Sequence, residues 1–260
     1  MRYDRQLLLL GEKRNVVLEL AEVQAYGRDS YGNADYVCIY GLRPAEWYAK
    51  GIRLLGRTAV ECTRDELADR IGRDAASVAA DWVSAEAPFL IDPFAGSGNT
   101  LYWLARHLSV AQGVGFELDP GVFALTQKNL AALDLSIDVL NVDYRSALSR
   151  VSPAAGQLVV AFIAPPWGDA LDPALGLDLR RTYPPVPEIT EHLFTHFAEN
   201  PILFVIQVHE IVNRVSLNGL AAAFDWSSLK IYDLLAQGSN HGILLATCRW
   251  RPAANADAAT

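Results

Sequence analysis

The sequence predicts an α/β fold, a mainly parallel sheet with helices on both faces, behind a smaller N-terminal extension. Three observations predict it. Residues 89–91 and 158–164 are unbroken apolar runs, as expected of strands buried on both faces. The first of these runs ends on Asp92 and enters a glycine turn at Gly96 and Gly98, after which a helical pattern begins; open α/β sheets bind their ligands at such a carboxyl end. The last two strand-like segments, 229–234 and 242–250, are joined by a stretch too short for a crossover, so the final pair is antiparallel.

Composition bounds the possibilities. A chain of 260 residues that is 51% hydrophobic can bury a large core. Lys plus Arg number 22 against 30 for Asp plus Glu, a formal charge of −8, so the surface as a whole repels nucleic acid. Cys38, Cys62 and Cys248 show no CxxC spacing, and one must stay unpaired within the chain, which fits a reducing compartment. The apolar run 7–10 is too short for a signal-peptide core and no later run approaches a membrane span, so a cytoplasmic protein is expected.

In chain order, Val16, Leu18 and Leu20 alternate with their neighbours, and 36–40 is a β-rich run after the turn-forming residues 29–33, which reads as an N-terminal hairpin. From Pro44 the pattern turns helical, with Tyr48, Ile52 and Leu55 on one face and Lys50, Arg53 and Arg57 on another, a basic stripe able to hold a phosphate or carboxylate or simply to face solvent. Thr63 and Glu66 have capping-box spacing ahead of Leu67 and Ile71, so a further helix begins there. Leu101, Leu104, Ala105 and Leu108 mark the helix after the glycine turn. A second strand ends on Glu117, with Asp119 as N-cap and Pro120 opening a helix. The run 137–142 is a third strand, ending on Asp143 and Tyr144. The run 158–164 is the fourth, stopped by Pro165 and Pro166 ahead of Trp167. Residues 169–188 read as a long loop suited to a substrate lid, followed by a helix over 188–199 and a fifth strand over 202–208 that ends in His209 and Glu210. The organisation expected is an extension over 1–85, a main domain over 86–252 and a disordered tail over 253–260.

Candidate functional residues gather at the predicted carboxyl ends. Asp92 at the start of the glycine turn is unhelpful to a pyrophosphate but suits a ligand carrying an ammonium and a sulfonium. Glu117 stands close to the spacing at which an acid accepts hydrogen bonds from ribose hydroxyls. Asp143 could take an adenine amino proton while Tyr144 covers the ring, although a surface-loop aspartate is the plainer reading of Asp143 alone. Trp167, held by two prolines, suits a planar or apolar substrate. His209, Glu210 or Asp169 could serve as a base. His192 and His196 have metal-ligand spacing, but no further cluster accompanies them and no metal is expected.

The order of these features, DPFAGSGNT, then FELDP, then Asp143, then APPWG, resembles that of the class I methyltransferases that use S-adenosylmethionine, and most closely the trimethylguanosine synthase family, which methylates a guanine N2 amine. The likeness spans about residues 45–250. It implies a Rossmann-like sheet of seven strands whose last strand is antiparallel, and S-adenosylmethionine as cofactor. Carried over, it puts Asp92, Phe94, Gly96, Gly98, Asn99 and Thr100 around the methionine and ribose part, Glu117 and Leu118 at the ribose, and Asp143 with Tyr144 at the adenine. It places Trp167 against the substrate ring, with Asp169, Tyr183, Lys50, Arg53 and Arg57 toward the substrate. Ala164 departs from the relatives that carry Asn, Asp or Ser before the two prolines; only backbone carbonyls at Ala164 and Pro165 are left to receive an amine. With the acidic charge, this favours a small-molecule acceptor, with guanine-N2 methylation of RNA and a non-catalytic partner subunit as the alternatives.

Overall fold

A computed structural model describes residues 2–82, 86–110, 112–135, 137–172, 174–234 and 241–250. The expected disordered tail over 253–260 and most of the loop joining the last two strands lie outside the described residues.

Seven strands form one sheet: β1 (Phe89–Asp92), β2 (Gln112–Phe116), β3 (Asp138–Leu140), β4 (Val159–Ile163), β5 (Ile202–His209), β6 (Trp226–Tyr232) and β7 (His241–Cys248). Their spatial order is β3-β2-β1-β4-β5-β7-β6. The pairs from β3 through β5 are parallel, and β7 runs antiparallel to both β5 and β6. The expected seven-stranded sheet with its antiparallel last strand is therefore present. Alternate residues of the central strands point to opposite sides. Leu90, Val160, Phe162, Leu203 and Val205 join the core on one face, and Ile91, Ala161, Ile163, Phe204 and Ile206 the core on the other.

Nine helices accompany the strands among the described residues: α1 (Leu20–Tyr31), α2 (Pro44–Ala49), α3 (Gly56–Glu61), α4 (Asp65–Ala79), α5 (Asn99–Leu108), α6 (Pro120–Ala131), α7 (Tyr144–Ala147), α8 (Val186–His196) and α9 (Arg214–Ala221). Buried residues of α4, α5 and α6 belong to the first core, and those of α7, α8 and α9 to the second. A small ribbon, Leu171–Asp172 with Gly176–Leu177, stands within the stretch expected to be a long loop.

The N-terminal extension is helical where a hairpin was expected. The alternation of Val16, Leu18 and Leu20 is compatible with a strand, but from Leu20 onward the buried side chains Val23 and Tyr26 recur at helical spacing, and Glu19 and Glu22 form a reciprocal capping box. In place of a hairpin, Val17 and Ile39 make isolated bridges to Leu55 and Leu42. The basic stripe also dissolves, because α2 stops at Ala49 and Gly51, at φ +83°, turns the chain. Lys50, Arg53 and Arg57 then share no helix face. Thr63 does not cap α4; the N-cap is Arg64, without a side-chain cap bond, and Thr63 is engaged elsewhere.

The extension is not a separate body. Leu8, Val23, Ile39, Trp47 and Ile52 belong to the same hydrophobic cluster as Leu90, Val160 and Leu203 of the sheet. Trp47 is fully buried and its indole N–H donates to the Val37 carbonyl at 3.0 Å.

Candidate active site

The carboxyl ends of the paired strands β1 and β2 flank the glycine turn. Gly96 and Gly98 both have positive φ, +51° and +73°, which a side chain would strain. At Gly98 a Cβ would lie 3.1 Å from Thr126 Cγ2 and 3.3 Å from Leu130, so α6 closes directly against the turn. The Ala95 N–H donates to the Phe116 carbonyl at 2.8 Å and Thr126 Oγ1 to the Gly96 carbonyl at 2.6 Å, fixing the loop between β2 and α6.

Two carboxylates flank this loop. Asp92 is buried, accepts from the Phe94 N–H at 2.8 Å, and is pushed up to about 7 by burial and then by the nearby charge of Glu117. Glu117 accepts from the Gly96 N–H at 3.0 Å through one oxygen and from the Asp119 N–H at 2.8 Å through the other; burial raises it too. Two acids sharing a half-closed site with no cation ion-paired to either among the described residues make a receptor for positive charge. Leu118, 68% exposed, offers an apolar face beside them, with its carbonyl held by Asn141 at 3.0 Å.

The Asp92 environment has a direct consequence for stability. Its folded-state pKa of about 7 lies above the unfolded value of 3.8, so the folded chain binds the proton more tightly. The contribution is complete below the unfolded value and is lost as pH rises through about 7, with a slope approaching about 1.4 kcal/mol per pH unit in between. Urea unfolding of the wild type and Asp92→Asn across this window should show their difference growing in favour of the variant as pH rises; parallel curves would contradict it.

Several expected site residues are committed elsewhere. Asn99 is 1% exposed. Its Oδ1 accepts from the Tyr40 N–H at 2.6 Å, and its Nδ2 donates to the Thr63 carbonyl at 2.7 Å and to Asp65 Oδ1 at 3.1 Å. It thus clamps the extension onto the glycine turn instead of facing the cleft, and the Tyr40 hydroxyl adds a bond to the Ser97 carbonyl. Thr100 is buried in the first turn of α5. Asp143 caps α7 and pairs through both oxygens with the Arg145 guanidinium, which holds it below the usual carboxylate range. Tyr144 is 3% exposed, packed between Phe94 and His192 at 5.7 Å from each ring, so it supports the floor and does not cover it. Arg53 donates to the carbonyls of Tyr48 and Ile52, and Arg57 pairs with Asp119 at 2.5 Å, beside Glu117, while Lys50 is exposed at the end of α2. His196 bonds the Val151 carbonyl, and among the described residues no group of His, Cys, Asp and Glu is placed to hold a metal ion.

The second half of the site lies where β4 and β5 end and β7 begins. Pro165 and Pro166 lead into Trp167, whose carbonyl accepts from the Ala170 N–H in a short turn. The indole stacks on His241 at 5.2 Å and 29°, and meets the edge of His209 at 5.9 Å. His209 Nδ1 accepts from the Ile211 N–H at 3.1 Å, which leaves Nε2 as a donor in the neutral ring. His241 is held neutral, lowered to about 4 by burial first, then by His209 and Arg64. Glu210 and Asp169 form no hydrogen bond or ion pair among the described residues, and Tyr183, 79% exposed, donates its N–H to the Pro166 carbonyl at 3.5 Å. Sequence reading missed Gln207 and His241. Gln207 is signalled by being the one polar residue in the apolar run 202–208, and it receives the Thr63 hydroxyl at 3.0 Å while lying 3.4 Å from His241 Nδ1.

Comparison with known proteins gives the fold a context. No family model and no curated protein matches the chain. Among solved structures, the delta-N METTL16 methyltransferase domain matches over 88% of this chain and 96% of its own, at 12% identity and a TM-score of 0.51. The Escherichia coli protein yhhF, described as a methyltransferase, matches over 68% of this chain and 84% of its own, at 20% identity and a TM-score of 0.41. TrmN from Thermus thermophilus matches over 74% of this chain and 51% of its own, at 19% identity and a TM-score of 0.44. At these identities the likeness speaks to architecture, and of the three only the METTL16 domain superposes closely enough to count. No helix among the described residues is long and apolar enough to cross a membrane. Sheet order, the antiparallel β7 and the METTL16 superposition together show that the chain has the Rossmann-like class I methyltransferase fold.

Proposed function

We propose that the chain is an S-adenosylmethionine-dependent methyltransferase acting on a small planar molecule. The observation that carries this reading is the pairing of buried Asp92 with Glu117 across the Gly96–Gly98 turn: two acids above a backbone cradle, with an exposed leucine beside them. The donor set fits the cofactor's parts. Glu117 and the Asp92 region match hydroxyls and positive charge, and Leu118 offers a face for adenine. Once bound, the cofactor supplies an electrophilic methyl group, so the chain's tasks are alignment, exclusion of water and proton removal.

Trp167, braced by His241, gives the acceptor a flat wall at the end of β4. The chain's own part would be to hold the acceptor against that wall and to receive the proton that the acceptor gives up. His209 is a poor acceptor for it, its Nδ1 being used by the Ile211 N–H, which leaves Glu210 and Asp169 as candidate bases. Titration calorimetry with S-adenosylmethionine tests the core of this reading: saturable binding supports it, and silence refutes it. Binding should also tighten as pH rises through about 7, since a cationic ligand favours ionised Asp92.

Guanine-N2 methylation of RNA is the second reading. An aromatic wall is equally able to stack a nucleobase. The formal charge of −8 speaks against a surface that follows a phosphate backbone. Filter binding to RNA at low and high salt separates the two, because absence of affinity at low salt eliminates RNA. In either case Trp167→Ala is expected to cut transfer of tritiated methyl to acceptor at least tenfold while cofactor affinity stays within about twofold, as removal of one stacking wall implies. The reverse pattern would mean the acceptor lies elsewhere.

A further inference from the structure

The stripe read from sequence as a binder of anions is dispersed, yet one cation stands by the acceptor wall with no anion of its own. Arg64 precedes α4, and α4 packs against β5 and β7. Its neighbour Thr63 donates to Gln207, Gln207 lies 3.4 Å from His241, and His241 stacks on Trp167, so three successive contacts tie the residue before Arg64 to the indole, and the Arg64 charge acts on His241. The guanidinium carbon stands over the Tyr36 ring at 3.6 Å from its centroid, and Tyr36 is itself stacked on Tyr31.

That contact engages the charge with an aromatic ring and gives its N–H groups no acceptor. Among the described residues Arg64 forms no ion pair and no side-chain hydrogen bond, although it is only half exposed. Four other arginines are engaged, Arg53 on carbonyls, Arg57 on Asp119, Arg145 on Asp143 and Arg180 on Asp178, whereas Arg181 makes no ion pair or side-chain hydrogen bond among the described residues. A pre-oriented planar fork with free donors matches an oxyanion.

We propose that Arg64 is the oxyanion anchor of the acceptor site, taking a phosphate or carboxylate group carried by the molecule whose ring lies against Trp167. The inference rests on the methyltransferase reading for what the wall holds, but Arg64's capture of an oxyanion can be measured independently. Arginine Nε–Hε resonances of the 15N-labelled full-length chain, with Arg64 assigned by its loss in Arg64→Gln, would be followed during titration with inorganic phosphate and, separately, acetate at constant ionic strength. A saturable shift of the Arg64 resonance is expected. Saturation by phosphate assigns a phosphate-bearing acceptor, and saturation by acetate alone assigns a carboxylate.

Tyr36→Leu should weaken that saturation several-fold by releasing the guanidinium, and Arg64→Lys should weaken it similarly by removing the fork. An Arg64 resonance unmoved by both anions, or a shift no larger than that produced by chloride, overturns the proposal. Calorimetry with S-adenosylmethionine on the same sample keeps the two ideas apart. Normal cofactor binding beside a silent Arg64 rejects the anchor alone. A saturable Arg64 shift without cofactor binding rejects the methyltransferase reading and leaves the oxyanion site standing.

Discussion

Replacing Glu117 by alanine is expected to weaken S-adenosylmethionine binding by about 1–3 kcal/mol, roughly a 5- to 150-fold rise in Kd. The carboxylate has one oxygen on the Gly96 N–H and the other on the Asp119 N–H, so it shapes the turn while offering its remaining lone pairs to ribose hydroxyls. Its removal therefore acts twice, by losing two acceptors and by loosening the cradle. Glu117→Gln separates these effects, because an amide oxygen can still receive one backbone N–H and one hydroxyl; its affinity should fall between wild type and alanine. Calorimetry of the three proteins checks the order. Equal affinities would show that the ribose is held elsewhere.

The second large effect concerns the clamp. Asn99→Ala should lower the free energy of unfolding by about 2–5 kcal/mol, since the buried Tyr40 N–H and Thr63 carbonyl each lose a partner and each such loss costs about 1–3 kcal/mol. Asn99→Asp should be at least as harmful at neutral pH. It keeps an acceptor for Tyr40 but sets a carboxylate against Asp65, whose oxygen lies 3.1 Å from the present amide, and whose own charged form is already disfavoured by burial. Urea midpoints for the two variants test the ranking, and a cost for alanine below about 1 kcal/mol would remove Asn99 from the role of clamp.

The sheet was legible because its strands are buried on both faces. Residues 89–91 and 158–164 are apolar without interruption, 202–208 is broken only by Gln207, and no helix period competes with them. The Gly96–Gly98 turn was legible for a related reason, since its shape is a local backbone demand. The extension was misread because 16–20 satisfies strand alternation just before a helical period takes over at Leu20, and only the Glu19–Glu22 capping box marks the change. Asn99 and Arg64 were illegible as clamp and anchor because their partners are distant in the chain. The Asn99 bonds to Tyr40 and Thr63 span 59 and 36 residues, and the relay from Thr63 to Gln207 spans 144. Tyr144 failed differently: an aromatic residue at a strand's end looks the same in sequence whether it lines a cleft or supports it.

The position of β7 governs how the chain can be made. It lies between β5 and β6 although it is the last of the seven strands to be synthesised. Until it leaves the ribosome, one edge of β5 has no neighbour, β6 has nothing to pair with, and Ile243 and Leu245 are missing from a core that reaches back to Leu8 and Trp47. Two open strand edges are thus carried until β7 is made, and such edges invite mispairing that chaperones prevent.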